Sequence, residues 1–150
     1  MNHAYLCIGS NRDKAVNMKR AEAMLRAYFA TIRFSPLMET QAIGCPDAER
    51  YLNQVAVCGC EEPLSEVQAA LKRMEWEIGR RPTDKASGRM PIDIDLLQWN
   101  DEVLKPADLQ RCYVKEGLRC LLTSCHSPSS TCLPRCLPPS QRSALRHHCR

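Results

Sequence analysis

The hydrophobic and polar positions in the first hundred residues follow two periods. Apolar residues at every second position predict strands, and apolar positions three and four residues apart predict helices. The predicted strands cover residues 4–8, 32–40, 51–58 and 92–97, and a helix follows the first and the third of them. This βαββαβ order predicts an α+β fold of the ferredoxin-like type, an antiparallel sheet with helices packed on one face.

Each predicted helix has one apolar stripe, which we interpret as core packing. The first stripe consists of Met18, Ala21, Leu25, Tyr28 and Phe29. The second consists of Leu64, Val67, Leu71, Met74 and Ile78. Asn11 or Asp13 is expected to cap the first helix through its side chain. Gly79 is expected to end the second, because glycine readily adopts the conformation that follows a helix.

The last predicted strand presents two carboxylates side by side. Side chains two residues apart share one face of a strand, so Asp93 and Asp95 lie opposite Ile92 and Ile94, with Cβ atoms roughly 7 Å apart. One interpretation is a Mg²⁺ site that holds a polyphosphate, and the other is a solvated edge strand. The cationic, glycine-containing loop of residues 79–89 directly upstream favours the metal site.

Three further side chains are candidates for a binding pocket. Tyr51 and Asn53 share a face of the third strand with Val55 and Val57, and the valines are expected to point to the core. The ring and the amide either line a pocket for a flat polar heterocycle or lie on the surface. Glu75, just off the second helical stripe, either accepts hydrogen bonds from a ligand or is solvated.

Composition changes at about residue 122. Residues 1–122 contain 17 Lys and Arg against 17 Asp and Glu, so the net charge of +4 arises wholly from four arginines in the tail. This balance does not favour a nucleic-acid partner. Residues 123–150 lack acidic and aromatic residues yet contain four of the ten Cys and three of the four His. We therefore expect one domain over 1–122 and a disordered or non-native tail over 123–150. Zinc binding is the alternative for the tail, although the ligand spacing does not match a zinc finger.

The remaining sequence features concern location and the segment before the tail. Residues 100–122 predict only a turn and a mixed segment. No apolar run approaches the roughly 18 residues of a membrane span, and the N-terminus lacks a signal-peptide pattern. We therefore expect a cytoplasmic protein with reduced thiols and no membrane partner.

Six short motifs between residues 4 and 103 occur in the order of a known family. They are Tyr5-Leu6-Cys7-Ile8-Gly9-Ser10-Asn11, Met38-Glu39-Thr40 with the later Gly44, Tyr51-Leu52-Asn53, Met74-Glu75, Gly79-Arg80, and Asp93-Ile94-Asp95-Leu96-Leu97. Together they resemble the hydroxymethyl-dihydropterin pyrophosphokinases of folate biosynthesis, also called 2-amino-4-hydroxy-6-hydroxymethyldihydropteridine diphosphokinases.

The resemblance implies an enzyme that passes the terminal diphosphate of ATP to the hydroxymethyl oxygen of 6-hydroxymethyl-7,8-dihydropterin and leaves AMP. It implies two Mg²⁺ ions bound by Asp93 and Asp95, ATP as co-substrate, and a monomer whose partners are these small molecules. By position it places Glu75 near the adenine. It assigns phosphate contacts to Arg80 and to one or both of Arg81 and Arg89, with Arg80 and Arg89 joining the two aspartates as catalytic residues. The residues that it assigns to the pterin are Thr40, Gln41, Ala42, Ile43, Gly44, Tyr51 and Asn53.

The chain departs from the family pattern at three places, one of which is that an aromatic residue common in the family's loop before the first motif aspartate has no match. Met90 stands where the family has an arginine three residues before the first motif aspartate, and Arg89 is one residue early. The family's Pro-His and the arginine after it are absent from residues 106–122, where Arg111 and Arg119 are the candidate substitutes. These departures keep open a non-catalytic relative that binds pterin or nucleotide. An RNA-binding module of the same fold is a further alternative, although the predicted strands lack paired exposed aromatic residues for stacking bases.

Overall fold

The computed structural model describes residues 1–40 and 50–123, and these form a six-stranded sheet with five helices. The strands are β1 (Asn2–Ser10), β2 (Thr31–Phe34), β3 (Met38–Thr40), β4 (Tyr51–Cys60), β5 (Asp93–Trp99) and β6 (Glu102–Val103). The helices are α1 (Lys14–Tyr28), α2 (Leu64–Ile78), α3 (Asp84–Ser87), α4 (Pro106–Leu109) and α5 (Cys112–Leu122). The strand order is β2-β4-β1-β5-β6, β3 also pairs with β4, and the paired strands are antiparallel. The predicted α+β class and βαββαβ order are confirmed, with the second strand divided into β2 and β3.

Helices α1 and α2 cover one face of the sheet and form the main core there. The predicted stripe of α1 is buried except for Tyr28, which is half-buried against the same cluster. The predicted stripe of α2 is also buried, apart from the partly exposed Leu64 at its start. Gly79 ends α2 with a φ of 128°, a conformation in which a side chain would be strained. Both helical predictions are therefore confirmed.

Helix α5 covers part of the opposite face, so the expectation of helices on one face is wrong. Cys7, Val55, Leu97 and Val114 form a second buried cluster between the sheet and this helix. At Gly117 an added Cβ would lie 2.9 Å from Val55, so glycine lets the helix approach β4 closely. The mixed pattern expected for residues 100–122 missed a hairpin and two helices, although Val114, Leu118 and Leu121 in α5 follow helical spacing.

Two local predictions also need correction. Val55 is buried under α5 rather than in the main core, and Val57 is only half-buried. Asp13 precedes α1 with a positive φ of 47°, but no side-chain hydrogen bond caps the helix. The side chain of Asn11 bonds elsewhere, to the loop that leads into β5.

Other features of the described residues bear on the expected location and redox state. None of their helices is both long enough and apolar enough to span a membrane. Cys7, Cys58 and Cys60 are free thiols, whereas Cys120 is disulfide-bonded, so the expectation of reduced thiols is wrong at that position. Of the predicted tail, residues 124–150 lie outside the described part of the chain.

Candidate active site

The two aspartates of β5 project from the sheet face that α1 and α2 do not cover. In the sheet register Asp93 pairs with Gly9 and Asp95 with Cys7. The side chains of Asp93 and Asp95 are 35% and 27% exposed, while Ile94 between them is buried in the main core. The alternation predicted from the sequence is therefore present, and both carboxylates are open to a ligand.

The surroundings of Asp93 disfavour its negative charge. Burial, followed by the charge of Asp95 and a hydrogen bond with it, raises the pKa of Asp93 to about 7, although Arg80 opposes the shift. A cation between the two carboxylates would relieve this repulsion. Oxygen ligands of this kind suit Mg²⁺, which commonly takes one or two carboxylates and completes its coordination with water and phosphate. Within residues 1–40 and 50–123 no group of three acidic, His or Cys side chains is placed to hold a metal ion.

Arg80 connects the carboxylate pair to helix α2. Its Nη1 donates hydrogen bonds to Glu75 and to Oδ1 of Asp93, the latter at 2.9 Å. Glu75 is only 5% exposed and also accepts the backbone N–H of Ile94 at 3.0 Å. The alternative of a solvated Glu75 is therefore wrong: the carboxylate is buried and orients Arg80 toward β5.

The other two predicted phosphate-binding arginines do not contact the aspartates. The guanidinium of Arg81 lies 3.8 Å from the ring centroid of Trp76 and donates to the backbone oxygen of that residue at 3.0 Å. It borders a cleft of about 280 Å³, whose other lining residues are Lys72, Glu75, Trp76, Arg80, Pro82 and Lys85. Arg89 is exposed in the loop before β5.

Asn11 holds that loop against the end of β1. Its Nδ2 donates to the backbone oxygen of Gly88 at 2.7 Å, and its Oδ1 accepts the N–H of Met90 at 2.6 Å. The N–H of Asn11 in turn donates to the backbone oxygen of Met90 at 2.9 Å. Met90 is itself buried, at 6% exposed. The residue in the position of the family's arginine therefore packs inward, and Arg89 beside it remains free to face solvent.

The predicted pterin residues that are described lie beside the carboxylates. Asn53 of β4, Gly9 of β1 and Asp93 of β5 are register partners across three strands, which places Asn53 about 10 Å from Asp93. The amide of Asn53 donates to the hydroxyl of Thr40 on β3. An added Cβ on Gly9 would lie 2.8 Å from Oδ1 of Asn53 and 3.5 Å from the ring of Tyr51. Glycine at this position therefore keeps the floor between the ring, the amide and the carboxylates open.

The remaining predicted pterin residues lie outside the described residues. They are Gln41, Ala42, Ile43 and Gly44.

The segment after β5 adds Lys105 and Tyr113, which sequence reasoning missed, beside the predicted candidate Arg111. Nζ of Lys105 lies 2.6 Å from Oδ1 of Asp95. Arg111 donates to the hydroxyl of Tyr113 at 3.2 Å and pairs with Asp108 at 3.1 Å. The one available signal was the turn around residues 100–101, which returns the chain beside β5 through β6.

Arg111 and Arg119, the candidate substitutes for the arginine that follows the family's Pro-His, have different surroundings. Burial and the charges of Asp95 and Asp93 raise the pKa of the Cys7 thiol to about 12, and Tyr113 and Arg111 oppose the shift. Arg111 therefore acts on the same thiol as the carboxylate pair, which keeps that thiol protonated. Arg119 instead donates to Glu116 within α5, at 2.5 Å. Arg111 thus lies near Cys7, the register partner of Asp95.

Sequence comparisons agree on one family. Residues 5–123 match the model of the 7,8-dihydro-6-hydroxymethylpterin-pyrophosphokinase (HPPK) family. The chain is 30% identical over 106 residues to the 2-amino-4-hydroxy-6-hydroxymethyldihydropteridine pyrophosphokinase of Aquifex aeolicus, a match that covers 70% of this chain and 66% of that protein. It is 27% identical over 111 residues to the enzyme of the same name from Bacillus subtilis, covering 72% and 66%.

A plant relative matches over a smaller part of its length. The chain is 30% identical over 94 residues to the folate synthesis bifunctional protein of Arabidopsis thaliana, covering 61% of this chain and 19% of that protein. In each of the two bacterial comparisons the match covers 66% of the relative, slightly less than two thirds of its length. Because the family model matches most of the chain, this chain belongs to the 7,8-dihydro-6-hydroxymethylpterin-pyrophosphokinase family.

Proposed function

We propose that this protein transfers the terminal diphosphate of ATP to the hydroxymethyl oxygen of 6-hydroxymethyl-7,8-dihydropterin and releases AMP, a step of folate biosynthesis. The observation that carries the proposal is the row Asn53–Gly9–Asp93, in which a polar, ring-flanked pocket adjoins a carboxylate pair on one sheet face. Such a row brings a flat acceptor and a polyphosphate donor side by side. Membership of the family favours this function over RNA binding.

Asp93 and Asp95 are the proposed ligands of the Mg²⁺ ions, of which the family resemblance implies two. Bound Mg²⁺ would neutralise charge on the triphosphate and on the leaving AMP. Arg80, fixed between Glu75 and Asp93, holds a guanidinium at the same place for phosphate oxygens. Arg89 and Arg111 are the proposed additional phosphate contacts, the first from the loop before β5 and the second beside α5. Arg81 and the cleft beside Trp76 are proposed to receive the adenine end, with Glu75 at its border.

Tyr51, Asn53 and Thr40 are proposed to hold the pterin, together with residues 41–44. The amide of Asn53 is oriented by Thr40, and the Tyr51 ring offers a face for stacking a heterocycle. Their task is to place the hydroxymethyl oxygen in line with the phosphate under attack, since positioning and charge neutralisation supply most of the catalysis in such transfers. We also propose that the protein is a monomer and that it is cytoplasmic.

A non-catalytic relative remains the second candidate. The buried Met90 in the place of the family's arginine favours it, as does the lack of histidine between residues 106 and 122.

The test is AMP formation from ATP, Mg²⁺ and 6-hydroxymethyl-7,8-dihydropterin, measured by chromatography with and without the pterin. We expect pterin-dependent AMP and one pterin diphosphate for each AMP. Asp93→Ala and Asp95→Ala should each lower the rate by about a hundredfold or more. Asp101→Ala, which changes an exposed aspartate in the turn after β5, should leave the rate unchanged. A protein that binds ATP and pterin but forms no AMP is the non-catalytic relative.

A further inference from the structure

The two aspartates of β5 are paired with different cations. Arg80 reaches Asp93 from the end of α2, and Lys105 reaches Asp95 from the segment between β6 and α4. The two N–O distances are 2.9 Å and 2.6 Å, so each carboxylate already has a positive partner in the free protein. A divalent cation that binds the same oxygens must either tolerate these charges or displace them.

Arg80 is the partner that is held in place. It is also bonded to Glu75, whose side chain is only 7% exposed and accepts the N–H of Ile94. If Arg80 left, the Glu75 carboxylate would lose its cation in a buried environment, which is costly. Arg80 therefore keeps its position when ligands bind.

Lys105 is the partner that can move. Its side chain is 45% exposed, and Asp95 is its one salt-bridge partner among residues 1–40 and 50–123. Its backbone is fixed, because the N–H groups of Leu104 and Lys105 donate to the oxygen of Leu97 at 2.9 and 3.1 Å. A fixed backbone with a flexible, half-exposed ammonium can exchange partners without any change in the fold.

We infer that Lys105 is an exchangeable counterion: it holds Asp95 in the free protein and moves to a phosphate oxygen of the nucleotide when a divalent cation binds Asp95. The ammonium and the metal compete for one carboxylate and repel each other at that distance. Phosphate is the nearest new anion once nucleotide is present, and Lys binds phosphate as a point charge. Metal alone should therefore bind weakly, and metal and nucleotide should bind together. This inference rests on the proposed metal site.

The test compares Lys105→Met with the wild type in two titrations without pterin. The first measures binding of Mn²⁺ alone by electron paramagnetic resonance, and the second measures binding of ATP at saturating Mg²⁺ by calorimetry. Lys105→Met should tighten Mn²⁺ binding about tenfold and weaken Mg²⁺–ATP binding about tenfold, a change of about 1.4 kcal/mol in each direction. Lys19→Met, an exposed lysine on α1, should change neither.

An exchange predicts that Lys105→Met changes the two affinities in opposite directions, tighter for Mn²⁺ alone and weaker for Mg²⁺–ATP. Unchanged binding in both would show that Lys105 is an ordinary surface counterion, and tighter binding in both would show a competitor without a phosphate contact. Either result overturns the inference. If neither protein binds Mn²⁺, the inference fails together with the metal site. If both titrations give the expected changes but the wild type forms no AMP, only the proposed transfer reaction fails.

Discussion

The buried carboxylate of Glu75 should contribute measurably to stability, and Glu75→Gln isolates its charge. The glutamine side chain keeps an oxygen that can accept the N–H of Ile94. It has no negative charge, so Arg80 loses its ion pair with position 75. Hydrogen bonds to charged groups contribute about 1.5–3 kcal/mol. Arg80 is 27% exposed and retains Asp93, so we expect the lower part of this range, about 2 kcal/mol less free energy of unfolding.

Urea unfolding followed by tryptophan fluorescence measures this loss, because Trp99 is buried in the main core. With a urea dependence of about 2 kcal/mol per molar, the midpoint should fall by about 1 M. Glu77→Gln is the matched control, since it makes the same chemical change at an exposed position of the same helix. A double-mutant cycle with Arg80→Met should give a coupling energy of about 1–2 kcal/mol between positions 75 and 80. If Glu75→Gln and Glu77→Gln have equal midpoints, the carboxylate does not hold Arg80 as described.

Four further outcomes are expected. The pKa of Asp93 is about 7 in the folded protein against 3.8 for an ordinary aspartate, so its ionisation should lower the free energy of unfolding as the pH rises from about 4 to about 7. Because this side chain is 35% exposed, the loss should be roughly 1–2 kcal/mol, and urea titrations of Asp93→Asn should lack this part of the slope. Gly9→Ala should raise the KM for the pterin about tenfold, and an unchanged KM would exclude a pocket at this position. Gly59→Ala is the control: it crowds the sheet away from the site and should cost about as much stability as Gly9→Ala. Arg89→Lys should lower diphosphate transfer about tenfold without changing the urea midpoint, because Lys cannot reproduce a forked contact with phosphate; full activity would mark Arg89 as a solvated loop residue. Ending the chain after Leu122 should leave the urea midpoint unchanged under reducing conditions, and a loss of several kcal/mol would show that the tail packs on the domain.

The sequence by itself determined the elements whose periodicity is local. The stripes of α1 and α2 and the alternation around Asp93 and Asp95 follow from 3.6- and 2-residue repeats, which need no knowledge of the rest of the chain. Because side chains two apart must share a face of a strand, the paired carboxylates were predictable from three residues. The motif order likewise indicated the family before any geometry was known.

Only the tertiary structure decided which partners those residues have. Glu75 reads as one more polar residue of a helix, and its burial depends on how α2 packs against β5. Lys105 reaches Asp95 only because β6 turns the chain back beside β5, a contact between residues ten apart that no local repeat encodes. Helix α5 was missed although Val114, Leu118 and Leu121 follow helical spacing, and only the tertiary structure shows that Gly117 lets it approach Val55 closely. Local periodicity fixes which way a side chain points, whereas burial and ion pairing depend on the elements that pack against it.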